Sequence, residues 1–152
     1  MKQIDVKVSD PQMENEGRRD QFTTYLVSTE KTSVRRRYSD FQWLYSRLQT
    51  ELPGAIVPMI PHKMAMGKKF DQAFVEMRRR HLQNFMTAVV GHPEMQRAPS
   101  MTPFMLDKFG VEFDTGKKKV EAANPTFIEL ADEEAQSTVQ QVSNLSLIHI
   151  WR

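Results

Sequence analysis

Three consecutive arginines followed by a tyrosine are the residues of this chain best suited to chemistry. Arg35, Arg36 and Arg37 stand directly before Tyr38 in the run RRRYSDF. A guanidinium presents a rigid fork of donors that binds a phosphate or a carboxylate through two bonds at once. The flat ring of Tyr38 offers an apolar face against which a sugar or an inositol could lie. The run therefore indicates an anion site, although a bare arginine triplet is more often a solvated strand end.

A fourth arginine falls on the apolar face of a predicted helix. Apolar residues recur at helical spacing from about residue 70 to residue 90. At about 100° per residue, Arg78 points in the same direction as Phe74, Phe85 and Val89. A buried guanidinium costs on the order of several kcal/mol unless an anion meets it. Since few carboxylates surround Arg78 in the sequence, we expect it to meet a bound ligand.

Basic charge is concentrated in the middle of the chain. Residues 31–80 carry 11 basic and 4 acidic side chains, a net charge of +7, whereas the whole chain carries +2. Such an excess attracts anionic surfaces, among them nucleic acid, acidic protein and the cytoplasmic leaflet of a membrane. The composition, 39% hydrophobic and 26% charged, is that of a folded soluble domain.

Several classes of protein find no support in the sequence. Without cysteine there are no disulfides, thiol nucleophiles or thiolate metal sites, and a cytoplasmic location is favoured. No apolar run approaches the roughly 20 residues of a membrane span, and the first ten residues lack the apolar stretch of a signal peptide. No glycine-rich phosphate loop or G-x-S-x-G motif is found, and the histidines lack companions at metal or triad spacing. We therefore expect neither an enzyme nor a cofactor.

The apolar patterns predict an α+β fold. A three-stranded antiparallel sheet packs on a helical subdomain of three to four helices, with a proline-rich loop between the two long helices. The first strand is expected to end at Asp10-Pro11, and Ser39-Asp40 to supply the N-cap of the first helix. The predicted elements are strands at 4–8, 22–28 and 33–38, a helix from about 40 to 52, a long helix over about 70–90, and a short helix after Ser100 or Thr102.

Several motifs together resemble one known family. The run RRRYSDFQWL resembles the R-[R/K]-[Y/F]-S-x-F-x-x-L signature of phox-homology (PX) domains. The segments VPMIPHK, FVEMRRRHLQNF and GHPEM, at their spacing, resemble that family's proline loop and second long helix. The resemblance covers residues 1 to about 110. It implies the PX fold and a module that recruits a sorting nexin to membranes by binding a phosphoinositide.

The resemblance implies a role for each of four residues. Arg37 would grip the 3-phosphate of the lipid, and Tyr38 would pack under the inositol ring. Lys63 would contact the 1-phosphate, and Arg78 would bond the remaining ring hydroxyls. Arg36 would support this site or the positive field around it. Phosphatidylinositol 3-phosphate is the lipid that this set favours, although one more basic residue can change the preference.

Residues after the second proline of the loop are candidates for contact with the membrane itself. Met64 and Met66 could insert between lipids or fill the core. Lys68 and Lys69 would suit an anionic headgroup layer, each contributing on the order of 1 kcal/mol, or could simply be a solvated helix start. The partner predicted from the resemblance is a phosphoinositide-containing membrane, with peripheral attachment to endosomes.

The chain divides into four predicted segments. Residues 1–110 form the PX domain, 111–124 a linker, and 125–142 an amphipathic helix that leads to a missing C-terminal region. That helix resembles the one that precedes a dimerising BAR domain in one class of sorting nexins, which implies a homo- or heterodimer. Residues 143–152 break the pattern and are expected to be a non-native or truncated tail.

Two other binding roles use the same residues. The pair Pro58 and Pro61 forms a PxxP motif, which SH3 domains recognise. The basic block could also bind nucleic acid, but stacking on bases requires exposed aromatics, and Phe41 and Trp43 fit a core helix. We therefore expect no nucleic acid as a partner.

Overall fold

The computed structural model describes residues 4–63 and 70–125. Those residues form three strands and five helices. In chain order the elements are β1 (Lys7–Glu14), β2 (Phe22–Ser28), β3 (Ser33–Arg37), α1 (Tyr38–Glu51), α2 (Gln72–Gly91), α3 (Pro93–Gln96), α4 (Met101–Leu106) and α5 (Val111–Ala123).

The three strands form an antiparallel meander in the order β1-β2-β3. Ser28 pairs with Lys7 on one side and with Ser33 on the other, and Thr24 pairs with Arg37 near the far end of β3. The predicted fold class, a three-stranded antiparallel sheet with packed helices, is confirmed. Because β3 ends at Arg37, the arginine triplet closes the last strand and leads directly into α1.

The first strand continues through the Asp-Pro pair that was expected to end it. The register of β1 against β2 shifts between Ser9 and Gln12, and Asp10 has a φ of 47°. Such a bulge leaves an extra residue unpaired and bends the strand without ending it. Pro11 is tolerated because β1 lies at the edge of the sheet, where a missing N–H leaves no ladder bond unmade. The predicted strand end was wrong for this reason.

Helix α1 begins immediately after β3. Arg37 occupies the N-cap, and the carboxylate of Asp40 accepts its backbone N–H at 2.9 Å. Asp40 was expected at the N-cap but stands three residues inside the helix, where it satisfies a free N–H and complements the helix dipole. Tyr38 is therefore the first helical residue and not the last strand residue as predicted.

The core lies between one face of the sheet and the two long helices. The apolar stripes of α1 and α2 contribute Phe41, Leu44, Leu48, Leu82, Phe85, Met86 and Val89, each no more than 1% exposed. Burial of one such side chain stabilises the fold by about 1.5 to 3 kcal/mol. The same packing fixes where α2 presents its remaining side chains.

Helix α2 also covers part of the sheet edge. The Gln83 amide donates to the carbonyl oxygen of Val6 at 2.8 Å and accepts the N–H of Val8 at 2.6 Å. Arg79 donates to the carbonyl oxygen of Val8 at 2.9 Å. These bonds satisfy backbone groups that an edge strand leaves unpaired. They fix α2 against β1.

The segment 111–124, whose composition suggested a linker, is largely helical. Within α5, Phe113 is 1% exposed and packs edge-on against Trp43 of α1, with ring centroids 5.6 Å apart. One aromatic side chain in a run with three consecutive lysines and a glycine gives no periodic signal, so the pattern did not predict a helix. The division of the chain into the four predicted segments remains a prediction.

The chain divides into two compact units, Met1–Val120 and Glu121–Arg152. Of the second unit the structure describes residues 121–125, so the predicted helix over 125–142 and the tail at 143–152 lie outside the described residues apart from Pro125. None of the described helices is long and apolar enough to cross a membrane.

Candidate anion-binding site

The three arginines of the triplet have three different environments. Side chains alternate across a strand, so Arg36 faces the helices while Arg35 and Arg37 face the other side of the sheet. Arg35 donates to the carbonyl oxygen of Asp10 at 3.0 Å and to the hydroxyl of Thr24 at 3.2 Å, and it forms an ion pair with the Asp10 carboxylate. Arg35 therefore fixes the bulge of β1.

Arg36 is fully buried and binds backbone carbonyls at the end of α4. It donates to the carbonyl oxygens of Phe104 at 2.9 Å and Pro103 at 3.0 Å, and also to that of Asp107. Its guanidinium carbon lies 3.9 Å from the ring centroid of Phe113. Burial lowers the pKa of Arg36 to about 10, so the side chain remains charged at neutral pH. Arg36 thus joins β3, α4 and α5.

Arg37 is the most exposed member of the triplet. Its side chain is 44% exposed, against 23% for Arg35 and none for Arg36. Its Nε atom lies 3.7 Å from Oδ1 of Asp40, and its guanidinium carbon lies 5.6 Å from the ring centroid of Phe22. Arg37 is therefore the triplet member whose donors a ligand could reach.

Arg78 lies against two aromatic rings. Its guanidinium carbon is 4.0 Å from the ring centroid of Tyr38 and 4.5 Å from that of Phe74. The residue is 8% exposed, and its buried Nε atom has no hydrogen-bond partner among the described residues. Burial lowers the pKa of Arg78, while the nearby hydroxyls of Tyr25 and Tyr38 act in the opposite direction. The expectation of a buried guanidinium on the apolar face of α2 is therefore confirmed.

Tyr38 also contacts the proline loop. Its hydroxyl donates to the carbonyl oxygen of Pro61, and burial raises the pKa of Tyr38 while the charge of Arg78 partly offsets that rise. One aromatic side chain therefore touches α2 through its ring and the loop through its hydroxyl. Sequence reasoning missed this second contact, because nothing in the sequence connects a tyrosine to a carbonyl 23 residues away.

A cleft of about 240 Å³ opens beside this tyrosine. Tyr38 and the exposed Lys63 both line it, and Arg78 lies against the Tyr38 ring. Of the four predicted residues, the structure thus brings Tyr38 and Lys63 to this cleft. Arg78 contacts the Tyr38 ring but is not among the lining residues, and the guanidinium of Arg37 lies beside Asp40. The lining residues are Tyr38, Gln42, Tyr45, Ser46, Met59, Ile60, Pro61, His62 and Lys63.

The membrane-contact candidates Met64, Met66, Lys68 and Lys69 lie outside the described residues. A larger cavity of about 430 Å³ lies at the opposite end of the sheet, around the turn from Thr29 to Thr32, and none of the four predicted residues lines it. Within the described part of the chain, no three histidine, aspartate or glutamate side chains gather where they could hold a metal ion.

Asp40 is a buried carboxylate next to Arg37 that sequence reasoning assigned to the helix N-cap and not to the site. It is 1% exposed, and besides the N–H of Arg37 it meets Lys117 of α5, whose Nζ lies 3.1 Å from Oδ1. The sequence offered one signal, an acidic residue in the first turn of a helix. Its partner in α5 lies 77 residues away and could not be predicted.

Comparison with known proteins identifies the domain. The PX domain family matches residues 24–108. The chain is 35% identical over 115 residues to sorting nexin-4 of Gibberella zeae and 37% identical over 117 residues to sorting nexin-4 of Cryptococcus neoformans. These alignments cover 67% and 68% of this chain but 25% and 24% of the relatives. The chain therefore spans about a quarter of the length of these relatives.

Solved structures share the fold. A designed CISK-PX domain aligns with a TM-score of 0.59 and 28% identity, covering 66% of this chain and 97% of that one. The cryo-EM structure of the SNX-BAR Mvp1 tetramer aligns with a TM-score of 0.65 and 22% identity, covering 93% of this chain and 44% of that one. At that identity the second similarity bears on the fold alone.

Proposed function

The chain belongs to the PX domain family, and on this basis we propose that it is a membrane-recruitment module that binds phosphatidylinositol 3-phosphate. The observation that carries this proposal is the contact between Arg78 and Tyr38. A charged guanidinium is held at low exposure against an aromatic ring, with no carboxylate partner among the described residues. Such a group is costly unless a ligand supplies the missing acceptor.

Lys63 in the cleft, Arg78 against the Tyr38 ring and Arg37 directly before Tyr38 suit a ligand that joins a ring to two phosphates. Arg37 would bind the 3-phosphate through its exposed donors, and Lys63 would bind the 1-phosphate from the proline loop. Arg78 would donate to ring hydroxyls while the inositol lies against Tyr38. Charge-assisted bonds of this kind are about twice as strong as neutral ones, so three cations around one headgroup favour a polyanion over a neutral sugar.

The competing binding roles have less support. Stacking on nucleic acid would require Phe41 or Trp43 to be exposed, but Phe41 is fully buried and Trp43 packs against Phe113. An SH3 domain would have to take the PxxP segment away from Tyr38, whose hydroxyl binds Pro61. A non-catalytic phosphoinositide module accounts for the same residues without these costs.

The cellular setting follows from the relatives as a proposal. We propose peripheral attachment to endosomal membranes from the cytoplasmic side and a role in endosomal trafficking, as part of a longer sorting nexin. One headgroup site gives weak recruitment, so a second contact raises avidity. The C-terminal region beyond this chain, through homo- or heterodimerisation, would provide that contact.

Liposome sedimentation tests the proposal. The full chain is mixed with vesicles that carry one phosphoinositide at a time, and wild type is compared with Arg37→Ala and Arg78→Ala. Arg80→Ala removes the same charge from an exposed position on α2, where the side chain contacts Glu76 at 3.4 Å, and is the matched control. Selective pelleting with the 3-phosphorylated lipid, reduced about tenfold or more by the first two variants and retained by the third, supports the proposal. Equal pelleting of all four proteins on any anionic lipid would overturn it.

A further inference from the structure

Helix α5 lies beyond the segment that the PX family matches, yet it belongs to the core. The match ends at residue 108, and α5 begins at Val111. Phe113 lies between the guanidinium of Arg36, at 3.9 Å, and the ring of Trp43, at 5.6 Å between centroids. This extension therefore packs under the strand-helix junction from which the site is built.

Helix α5 also places the ammonium group of Lys117 next to the buried carboxylate of Asp40 at the junction of β3 and α1. The Nζ of Lys117 lies 3.1 Å from Oδ1 of Asp40, and the Nε of Arg37 lies 3.7 Å from the same oxygen. The Lys117 side chain is 16% exposed and also meets Asp114 at 3.3 Å and the ring of Phe113 at 4.3 Å. Asp40 is therefore shared between a cation of α5 and the arginine proposed to bind the 3-phosphate.

We propose that Lys117 is a positioning residue for the headgroup site: by compensating the charge of Asp40 from α5, it leaves the guanidinium of Arg37 available to a phosphate. This inference rests on the proposed function. According to this inference, α5, which lies outside the residues that the PX family matches, contributes to the affinity of the headgroup site.

The physical reason is competition for Arg37. A buried carboxylate is costly without a compensating cation. Buried Arg36 also interacts electrostatically with Asp40. With Lys117 present as a direct ion-pair partner, Arg37 can turn toward a ligand at little cost. Without Lys117, Arg37 is the remaining side-chain ion-pair partner of Asp40 in the described part of the chain, and a phosphate must compete with the carboxylate for it. The coupling between the two contacts is reciprocal: if Lys117 favours headgroup binding, a bound headgroup should also strengthen the contact between Lys117 and Asp40.

Calorimetric titration with soluble dibutanoyl phosphatidylinositol 3-phosphate isolates this effect from membrane insertion. The full chain is compared with Lys117→Met and with Lys118→Met, which removes the same charge from the exposed neighbouring position. We expect Lys117→Met to weaken binding by about 3- to 10-fold and Lys118→Met by less than about 2-fold. Equal losses in the two variants would overturn the proposal, because they would reflect the general positive field alone.

A second background separates positioning from simple loss of fold. In Asp40→Asn the side-chain oxygen still accepts the N–H of Arg37, but the competing charge is gone. We expect Lys117→Met to have little effect on affinity in that background, less than about 2-fold. A loss of the same size as in wild type would overturn the proposal. Thermal unfolding confirms that each variant is folded, and Lys117→Gln, which keeps a donor for Asp40, replaces Lys117→Met if the latter does not fold.

Fluorescence provides a readout that does not depend on comparing affinities. Trp43 packs against Phe113 of α5, and Trp151→Phe removes the other of the two tryptophans. A change in Trp43 emission on addition of the soluble lipid, absent in Lys117→Met at saturating lipid, supports the coupling. An identical change in both proteins would overturn it. If Arg37→Ala and Arg78→Ala bind the lipid normally, the proposed function itself fails. If both lose binding, the results with the Lys117 variants test only the role of Lys117.

Discussion

The guanidinium carbon of Arg78 lies 4.0 Å from the ring centroid of Tyr38, and the hydroxyl of that tyrosine binds the carbonyl oxygen of Pro61. One residue at the start of α1 therefore connects α2 to the proline loop. Lys63, two residues after Pro61, lines the cleft beside Tyr38. A displacement of the ring would move two of the three cationic side chains proposed to surround the headgroup.

Replacing Arg78 should separate binding from stability. In Arg78→Met a buried guanidinium without a carboxylate partner gives way to an apolar chain of similar length. We expect the free energy of unfolding to stay unchanged or to rise by about 1 kcal/mol, since such replacements are often stabilising, while lipid binding falls about tenfold or more. Urea denaturation measures the free energy of unfolding, and liposome sedimentation measures lipid binding. A loss of more than about 2 kcal/mol of stability would mean that Arg78 has a structural role instead.

Removing the hydroxyl of Tyr38 should loosen the loop but keep the ring. We expect Tyr38→Phe to bind soluble lipid about 3- to 10-fold more weakly, because one hydrogen bond that fixes the loop is lost. Amide hydrogen exchange at residues 56–63 should become faster even without lipid. Thr50→Val, which removes from the same helix a hydroxyl that donates to the carbonyl oxygen of Ser46, is the control. Unchanged exchange in Tyr38→Phe would rule out a role of the hydroxyl in fixing the loop.

Neighbouring arginines of the triplet should differ sharply in their effect on stability. Arg36→Met removes the donor from three backbone carbonyls at the end of α4 and should lower the free energy of unfolding by about 2 to 4 kcal/mol. Arg37→Met, at a half-exposed position, should change it by less than about 0.5 kcal/mol. Urea denaturation of the two variants side by side checks this. Equal losses would contradict the assignment of Arg36 to the core and Arg37 to the surface.

Gly116 of α5 should tolerate no side chain. A Cβ atom there would lie 2.7 Å from Cβ of Pro103 and would also collide with the carboxylate of Asp107. Alanine normally stabilises a helix interior by about 0.5 to 1 kcal/mol relative to glycine. We expect Gly116→Ala instead to destabilise by about 1 to 2 kcal/mol, from overpacking. Gly91→Ala, at the end of α2 with open space around it, is the control and should be neutral or stabilising. Equal melting temperatures for the two variants would contradict the close packing of α5.

Much of the fold could be predicted from the sequence because local sequence patterns determine most of its helices and strands. The predicted strand at 22–28 has the bounds of β2, and the position of Arg78 on the apolar face of α2 followed from helical spacing. Ser100, one of the two predicted caps, is the N-cap of α4. The N-cap of α1 lies two to three residues before the predicted Ser39-Asp40, since a carboxylate within the first turn satisfies the same free N–H groups as one at the cap. Local preference thus places the elements more reliably than their ends.

The missing parts of the site all depend on contacts between residues far apart in the chain. Lys117 and Asp40 are 77 residues apart, and α5 buries a single aromatic, Phe113, so no periodic pattern marked it. The hydroxyl contact of Tyr38 likewise depends on where the loop returns. Helical spacing placed a cation on the buried face, but the side chains that surround it are fixed only by tertiary packing.

The guanidinium of Arg78 itself provides the most direct test of the central claim. Its Nε–H group gives a separate nitrogen–proton NMR signal that responds to a change of partner. We predict that soluble dibutanoyl phosphatidylinositol 3-phosphate shifts the signals of Arg78 and Arg37, while that of Arg36, already bonded to Phe104, stays in place. Signals of Arg78 and Arg37 that remain unmoved at saturating lipid would contradict the claim that these two arginines bind the headgroup.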